Sequence, residues 1–574
     1  MRATDESVHQ EKDFISRDFE VTSWETLQPY YDDLSNRELS DVKDLEQWIY
    51  DRSKLEAIVS EAFGWRYINI TRDSADEKAA NLYQQAVQDL SPQIYAYENI
   101  LDKKLVESPF FDHLDKDKFY VYCRNVKNAV DLFNEKNIPI STEVQLKSKE
   151  HGKIFSEMTI GVHGVQMTLQ KAGSLLEETD RVYRESIYHK INQRILQDTK
   201  PLENLFDDLL DKRHQMATNA GFENFRDYKF AALGRFDYSV SDCLEFHDSI
   251  QYEILPLLDA LNRYRREKLG LDVLRPWDIH VDTNAKQPLR PFETTQELLD
   301  KTVSCLNRLH PGFGRSINTM RGMKHLDLAS RKGKRPGGYN MPLHLTGVPF
   351  IFMNATNTLN DLRTLLHESG HAVHAFLTSG LELNAAKRVP SEVAELAAMT
   401  MELLTMDHWD VFFENEDDLR RAKINQLETV LKVLPWVATI DKFQHWVYTN
   451  PSHSREERKA AWMNIMSDFS SKEIDNRDLE HYSEYIWHKQ LHIFEVPFYY
   501  IEYGMAQLGA IAIWKNYREN PGQTIDAYIN ALKLGYTKPI GDIYETAGIS
   551  FNFSRSYIQE LGAFVKKELR QLLS

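Results

Sequence analysis

Apolar residues recur at helical spacing along most of the chain, and glycine or proline interrupts them rarely. Near the amino terminus Ser40 reads as a helix cap, followed by Leu45, Trp48, Ile49, Leu55, Ile58, Val59, Ala62 and Phe63, with Gly64 as the stop. Another helix is expected at "SADE", where Ser74 and Glu77 have capping-box spacing. These helices show no fixed repeat, which argues against a solenoid. The texture changes at "EMTIGVHGVQMTLQ", where apolar residues flank His163 and Gly164 and predict a short hairpin. His163 reads there as a turn residue rather than a ligand. Helical patterns then dominate until "RKGKRPGGYNMPLHLTGVPFIFMNATNT", in which Pro336, Gly337 and Gly338 mark a loop and "VPFIFMN" a strand. A small sheet is therefore expected directly before the next helix, which Thr358 with Asp361, or else Asn360, would cap.

That helix contains "LRTLLHESGHAVHAFLTSG", from Leu362 to Gly380, with polar residues where a buried helix carries leucines. His367 and His371 are four apart and share a face, so they can offer two imidazole nitrogens to one ion, a geometry zinc accepts. Glu368 lies about 100° round the helix, where its carboxylate can reach a metal-activated water without binding the metal. The H-E-x-x-H spacing also arises by chance, and the inert alternative is histidines paired with backbone or a carboxylate. The neighbours Leu362, Leu365, Leu366, Ala372, Val373 and Phe376 weigh against it, because burying three unpartnered polar groups is costly. A catalytic zinc takes three protein ligands and keeps one position open. "VPSEVAELAAMTMELL" can supply the third, since Pro390 and Ser391 start a helix carrying Glu392, Glu395 and Glu402. Glu392 and Glu395 face roughly the same way, so one could bind metal while the other holds a histidine. His374 falls seven residues after His367 and reads as a residue that packs or supports a ligand from behind, outside the metal's own ligands.

Composition adds exclusions. The 574 residues include only 24 glycines, with 27% charged and 42% hydrophobic residues, the balance of a helix-rich globular protein. A net charge of −17 argues against a nucleic-acid partner, which needs clustered Lys and Arg. Cys123, Cys243 and Cys305 are odd in number and lack C-x-x-C spacing, so reduced, structural thiols are expected. No apolar run is long enough for a membrane span, and "MRATDESVHQEKDF" has no secretory core, so the expected location is cytoplasmic. Two parts are expected: a helical part over 1–195, with the hairpin near 155–170, and a catalytic part over 196–574.

"HESGHAVH" followed by "PSEVAELAAMTMELL" resembles the thimet oligopeptidase superfamily of zinc metallopeptidases, specifically its oligoendopeptidase F branch. In that family the third ligand is the first glutamate of E-x-[AP]-S-x-x-x-E, which "ELAAMTME" matches from Glu395 to Glu402 with Ala398 in place of the serine. The resemblance thus gives the ligand role to Glu395 and leaves Glu392 to hold a histidine. It extends to "HIFEVPFYYIEYGMAQLGA" from His492, where the family has a histidine and then a tyrosine-rich helix. With Pro497 in its first turn, Tyr500, Tyr503 and Gln507 line one face of that helix, and Tyr499 competes for the same role. "RKGKRPGGY" and "ALKLGYTKPIGDIYETAGISF" are similar to family segments as well.

The implied fold is mainly α, a helical ellipsoid of zincin type with a deep central channel and a small β-sheet beside the active-site helix. The implied activity is hydrolysis of internal bonds in short unstructured peptides. One Zn2+ per chain would be held by His367, His371 and Glu395, with Glu368 as general base and His492, Tyr500 and Tyr503 on the oxyanion or substrate backbone. Peptide is expected to add as a strand along "VPFIFMN", making Phe350, Phe352 and Tyr499 substrate contacts. The alternatives are a catalytically degenerate helical peptide-binding protein, or a zinc amidohydrolase acting on non-peptide amides.

Overall fold

The computed structural model describes residues 14–16, 18–284 and 286–573. Helix makes up 71% of it, and the sheets are small, so the fold is mainly α. Long helices and one three-stranded sheet position the site.

Helix α1 (Val42–Arg72) is longer than its sequence pattern indicates. Its cap is Asp41 rather than Ser40, the carboxylate accepting the Asp44 N–H at 2.8 Å. Gly64 does not end it, because this glycine sits where the helix meets the sheet region: a Cβ there would lie 3.3 Å from Leu343 Cδ2. The following helix, Glu77–Gln85, is capped by Asp76 rather than Ser74. Strands β1 (Thr159–Val162) and β2 (Val165–Thr168) form an antiparallel hairpin. Its turn residues His163 and Gly164 both have positive φ, 49° and 78°, as a tight two-residue turn requires. Helix α2 (Val240–Ser249) follows further on.

The second sheet consists of β3 (Leu326–Ala329), β4 (Tyr339–Met341) and β5 (Phe350–Ala355) in the order β3-β5-β4. β5 runs parallel to β3 and antiparallel to β4, so it is the central strand. This corrects the expectation that "VPFIFMN" offers a free edge: its backbone is paired on both sides. Phe350 and Phe352, each 1% exposed, pack with Ile68 of α1 and Leu343 instead of contacting a substrate. Glu61 of α1 accepts the backbone N–H groups of Leu345 and Thr346 at 2.9 and 2.7 Å, and Thr71 meets the Tyr339 hydroxyl at 2.6 Å. The long helix thereby clamps the loop and strand that form one wall of the site.

β5 leads directly into α3 (Leu359–Thr378). Thr358 and Asp361 form a reciprocal capping box, Asp361 N–H donating to Thr358 Oγ1 at 3.2 Å and Thr358 N–H to Asp361 Oδ2 at 2.8 Å. α4 (Ser391–Thr405), α5 (Glu416–Thr449) and α6 (Ile501–Glu519) complete the catalytic region. Its core gathers buried side chains from Leu205 to Leu569, whereas a separate cluster runs from Ile15 to Val126 and takes in Leu383 and Ala386. α3 and α4 approach closely at Gly370, where a Cβ would stand 2.6 Å from Ala398 Cα and 2.7 Å from Ala397 O. Among the described residues, no helix is long and apolar enough to cross a membrane.

Candidate active site

The close contact of α3 with α4 sets the site. It brings Glu395 Oε2 to 3.3 Å from His367 Nε2 and 3.9 Å from His371 Nε2. One ligand atom from each of the three residues lies within 4.8 Å of the other two. Glu395 is 4% exposed, yet its Oε2 accepts no hydrogen bond. Two imidazoles and a buried carboxylate oxygen without a donor fit the donor set of a catalytic zinc.

The residue behind the first histidine is not the expected one. Glu402 Oε1 accepts from His367 Nδ1 at 2.8 Å, while Gln426 Nε2 donates to Glu402 Oε2 at 3.0 Å. That bond leaves Nε2 of His367 free to face the shared centre. Glu392 is engaged elsewhere, its Oε1 accepting the Tyr238 hydroxyl at 2.6 Å and its carbonyl that of Tyr544 at 3.0 Å. Glu402 lies seven residues from Glu395, on the same helical stripe, and that spacing is the signal that identifies it.

Glu368 is 6% exposed, lines the cavity and has an unpartnered Oε2; Asn340 Nδ2 donates to its backbone carbonyl at 3.2 Å. Burial pushes its carboxyl up to about 7 against the opposing charge of His367. Burial works against a charged His367 too, but the adjacent Glu395 and Glu402 carboxylates outweigh it and raise this histidine well above its ordinary value. His371 feels the same two carboxylates only through space, with no hydrogen bond to either, so burial prevails and pushes it down to about 4; burial takes His374 down to about 3.

The tyrosine segment differs from its expected form. α6 begins at Ile501, so Pro497, Tyr499 and Tyr500 lie in a turn ahead of it, and Phe498 adopts a left-handed φ of 65°. Tyr499 rather than Tyr500 points at the centre, its hydroxyl donating to Glu395 Oε1 at 2.9 Å. Tyr499 and Tyr503 line the cavity, whereas the Tyr500 hydroxyl is directed to Gln490 and Trp436. Burial, reinforced by the Glu395 charge, raises the phenols of Tyr499 and Tyr503, so both stay protonated donors. His492 packs against all three tyrosines, with ring centroids 5.8, 4.8 and 5.6 Å from Tyr499, Tyr500 and Tyr503. Trp436 Nε1 donates to Gln490 Oε1 at 3.0 Å, which orients the amide so that Gln490 Nε2 donates to His492 Nδ1 at 2.6 Å. His492 therefore carries its proton on Nε2, and burial holds its pKa at about 4, leaving a neutral donor at pH 7. Trp436 and Gln490 carry no sequence signal for this role.

His367, Glu368, His371, Glu395, Tyr499 and Tyr503 open on a cavity of about 410 Å³ that is also lined by Gly338, Tyr339 and Asn340, from the edge strand β4 and the residue before it, whereas His492 and Tyr500 stand behind that lining.

Comparison with known proteins gives the family and the fold. Residues 174–563 match the family described as peptidase family M3, and residues 4–133 match the peptidase M3 N-terminal domain. Oligopeptidase PepF of Bacillus subtilis is 22% identical over 498 residues, spanning 83% of this chain and 71% of that protein. An oligoendopeptidase F homolog of Borreliella burgdorferi is 20% identical over 465 residues, spanning 78% of this chain and 76% of its own length. The solved structure of PZ peptidase A with an inhibitor superposes with a TM-score of 0.91 at 24% identity, over 96% of this chain and 98% of that one. Oligoendopeptidase F from Enterococcus faecium has the same fold, with a TM-score of 0.64 at 16% identity over 96% of this chain and 98% of its own.

Proposed function

The chain belongs to peptidase family M3, and from that premise we propose that it is a zinc-dependent oligoendopeptidase cleaving internal bonds of short unstructured peptides. The observation that carries this reading is the convergence of His367, His371 and the donorless Oε2 of Glu395 beside the unpartnered carboxylate of Glu368. A zinc ion held by those three side chains would supply a Lewis acid for the scissile carbonyl and make a nearby water more acidic.

The protein's own groups do the rest. Glu368 accepts the proton of the attacking water and returns it to the leaving amine, a task suited to a carboxyl with a pKa of about 7. Tyr499 and Tyr503 offer protonated hydroxyls to the developing oxyanion, and His492 offers its Nε2–H to the oxyanion or the peptide backbone. Tyr500 supports His492 and Tyr503 by packing. Substrate backbone pairs with β4, the edge strand that lines the cavity, in place of β5.

Neither alternative gains support: a degenerate binding protein would lack a ligand or the base, and all four residues are present and assembled. The cytoplasmic placement belongs to this proposal and rests on three free thiols, which suit a reducing compartment. So does the division near residue 195.

The test is hydrolysis of an internally quenched fluorescent peptide. Glu368→Gln is expected to lower turnover by about 10²–10⁴-fold with bound metal unchanged. Turnover near wild type in that variant would remove Glu368 from the mechanism.

A further inference from the structure

Away from the catalytic cavity, two helices each carry a pair of metal-binding side chains four residues apart. α2 bears Cys243 and His247, and α5 bears Asp441 and His445. Spacing of four puts each pair on one helical face. α2 packs on α5. Cys243 Sγ, a carboxylate oxygen of Asp441 and a ring nitrogen of His445 consequently lie within 4.8 Å of one another. All four side chains are buried, none more than 6% exposed.

They do not satisfy one another as a hydrogen-bonded cluster would. His247 Nε2 donates to Asp441 Oδ2 at 2.9 Å. His445 Nε2 is 3.1 Å from the same oxygen but has no hydrogen-bond partner, and Asp441 Oδ1 and His445 Nδ1 have none either. Buried polar groups are usually partnered by protein, ordered water or an ion, and here three such atoms cluster beside a thiol. The active site carries a related mark: a histidine nitrogen close to a buried carboxylate that has one oxygen without a hydrogen bond.

We infer that Cys243, Asp441 and His445 hold a second divalent cation of the zinc type, buried apart from the catalytic cavity, with His247 fixing the Asp441 carboxylate. A thiolate, a carboxylate and an imidazole form a borderline-soft donor set, and the two anions neutralise a dication. The nearby Arg235 donates through Nη2 to Glu502 at 2.9 Å and to the Phe498 carbonyl, while its Nε and Nη1 have no hydrogen-bond partner. The location gives the ion a purpose. The His445 ring lies 5.3 Å from Phe498, and neighbouring Gln444 accepts the Phe498 N–H at 2.8 Å. The ion pins α2 to α5 beneath the turn that delivers Tyr499 to Glu395.

Cobalt separates the two sites, because only this one contains sulfur. Full-length protein produced in cobalt-supplemented medium is expected to carry two metal equivalents and a near-ultraviolet thiolate-to-cobalt charge-transfer band. Cys243→Ser should abolish the band and one equivalent, whereas His367→Ala should lose one equivalent and keep the band. Should Cys243→Ser fail to fold, the wild-type spectrum and stoichiometry decide. A wild-type protein with one equivalent and no band, or a band that survives Cys243→Ser, overturns the inference.

Discussion

Gly370, between the two histidines of α3, is the position where a single methyl group should disable the centre. An added Cβ would stand 2.6 Å from Ala398 Cα and 2.7 Å from Ala397 O, both atoms of the α4 backbone. Backbone has no rotamer to give, so the helices must part by about 0.8 Å to reach an ordinary contact of 3.4 Å. Overpacking of this kind costs ~1–3 kcal/mol, and alanine returns up to ~1 kcal/mol of helix propensity over glycine, so the fold should survive with a modest loss. The site should fare worse. Glu395 is on α4 and both histidines on α3, and ligand distances must hold within about 0.2 Å for firm metal binding. A displacement near 1 Å costs on the order of 10²-fold in rate, about 2.7 kcal/mol of barrier. Gly370→Ala is therefore expected to keep a cooperative urea transition near that of wild type while kcat/KM falls about 100-fold. Metal bound at the site should be lost at lower chelator concentration. Wild-type kcat/KM together with wild-type metal retention would refute the claim that this contact sets the geometry.

Three further outcomes follow from named contacts. Glu402→Gln sets an amide N–H against either His367 Nδ1 or Gln426 Nε2, so chelator competition should show metal affinity reduced by about 10–100-fold. Tyr499→Phe should lower kcat by about 10²–10³-fold with little change in KM, whereas Tyr500→Phe should cost under about tenfold; the reverse order would return the oxyanion role to Tyr500. Asp327 is buried, which favours its neutral form, but Arg331, Lys334 and Arg72 outweigh that and hold its carboxyl below the ordinary range. Its folded pKa being depressed, the stability it contributes is whole above the unfolded value of about 3.9 and drains away as pH falls below that. Asp327→Asn should cost about 2 kcal/mol at pH 7, a figure discounted because Arg72 and Arg331 are half exposed. The gap between urea midpoints of variant and wild type should start to narrow below about pH 4 and close only as pH falls through the depressed folded value, and a constant gap would assign the loss to packing rather than charge.

What could be read from sequence was whatever is local. The helix start at Thr358 and Asp361, the hairpin turn at His163 and Gly164, and the shared face of His367 and His371 each follow from a few adjacent residues. Errors arose where a distant partner decided the outcome. Gly64 looks like a stop until Leu343 and Met341 are seen packed against it. "VPFIFMN" looks like a free edge until β3 and β4 are found on either side. The tyrosine segment looks like one helix from Pro497, but Arg235 and Gln444 hold the backbone of Phe498 in a left-handed turn. That turn exchanges Tyr499 for Tyr500 at the centre.

The three glutamates of α4 show how much of such a choice is geometry the chain already encodes. Going from Glu395 to Glu402 advances seven residues, or about −20° round a helix, so the two carboxylates stack on one stripe two turns apart. Glu392 is three residues away, about 60° off that stripe. The i, i+3 relation suffices for two side chains to touch each other, but facing a common third element demands the smaller angle. α3 lies against that stripe at Gly370, so Glu395 reaches both histidines and Glu402 reaches the back of the first. Glu392 turns instead to Tyr238. Ala398, a departure from the family's serine, sits where Gly370 meets α4, and because the atoms in contact are α4 backbone it is an added Cβ at 370 that would separate the ligands this contact brings together.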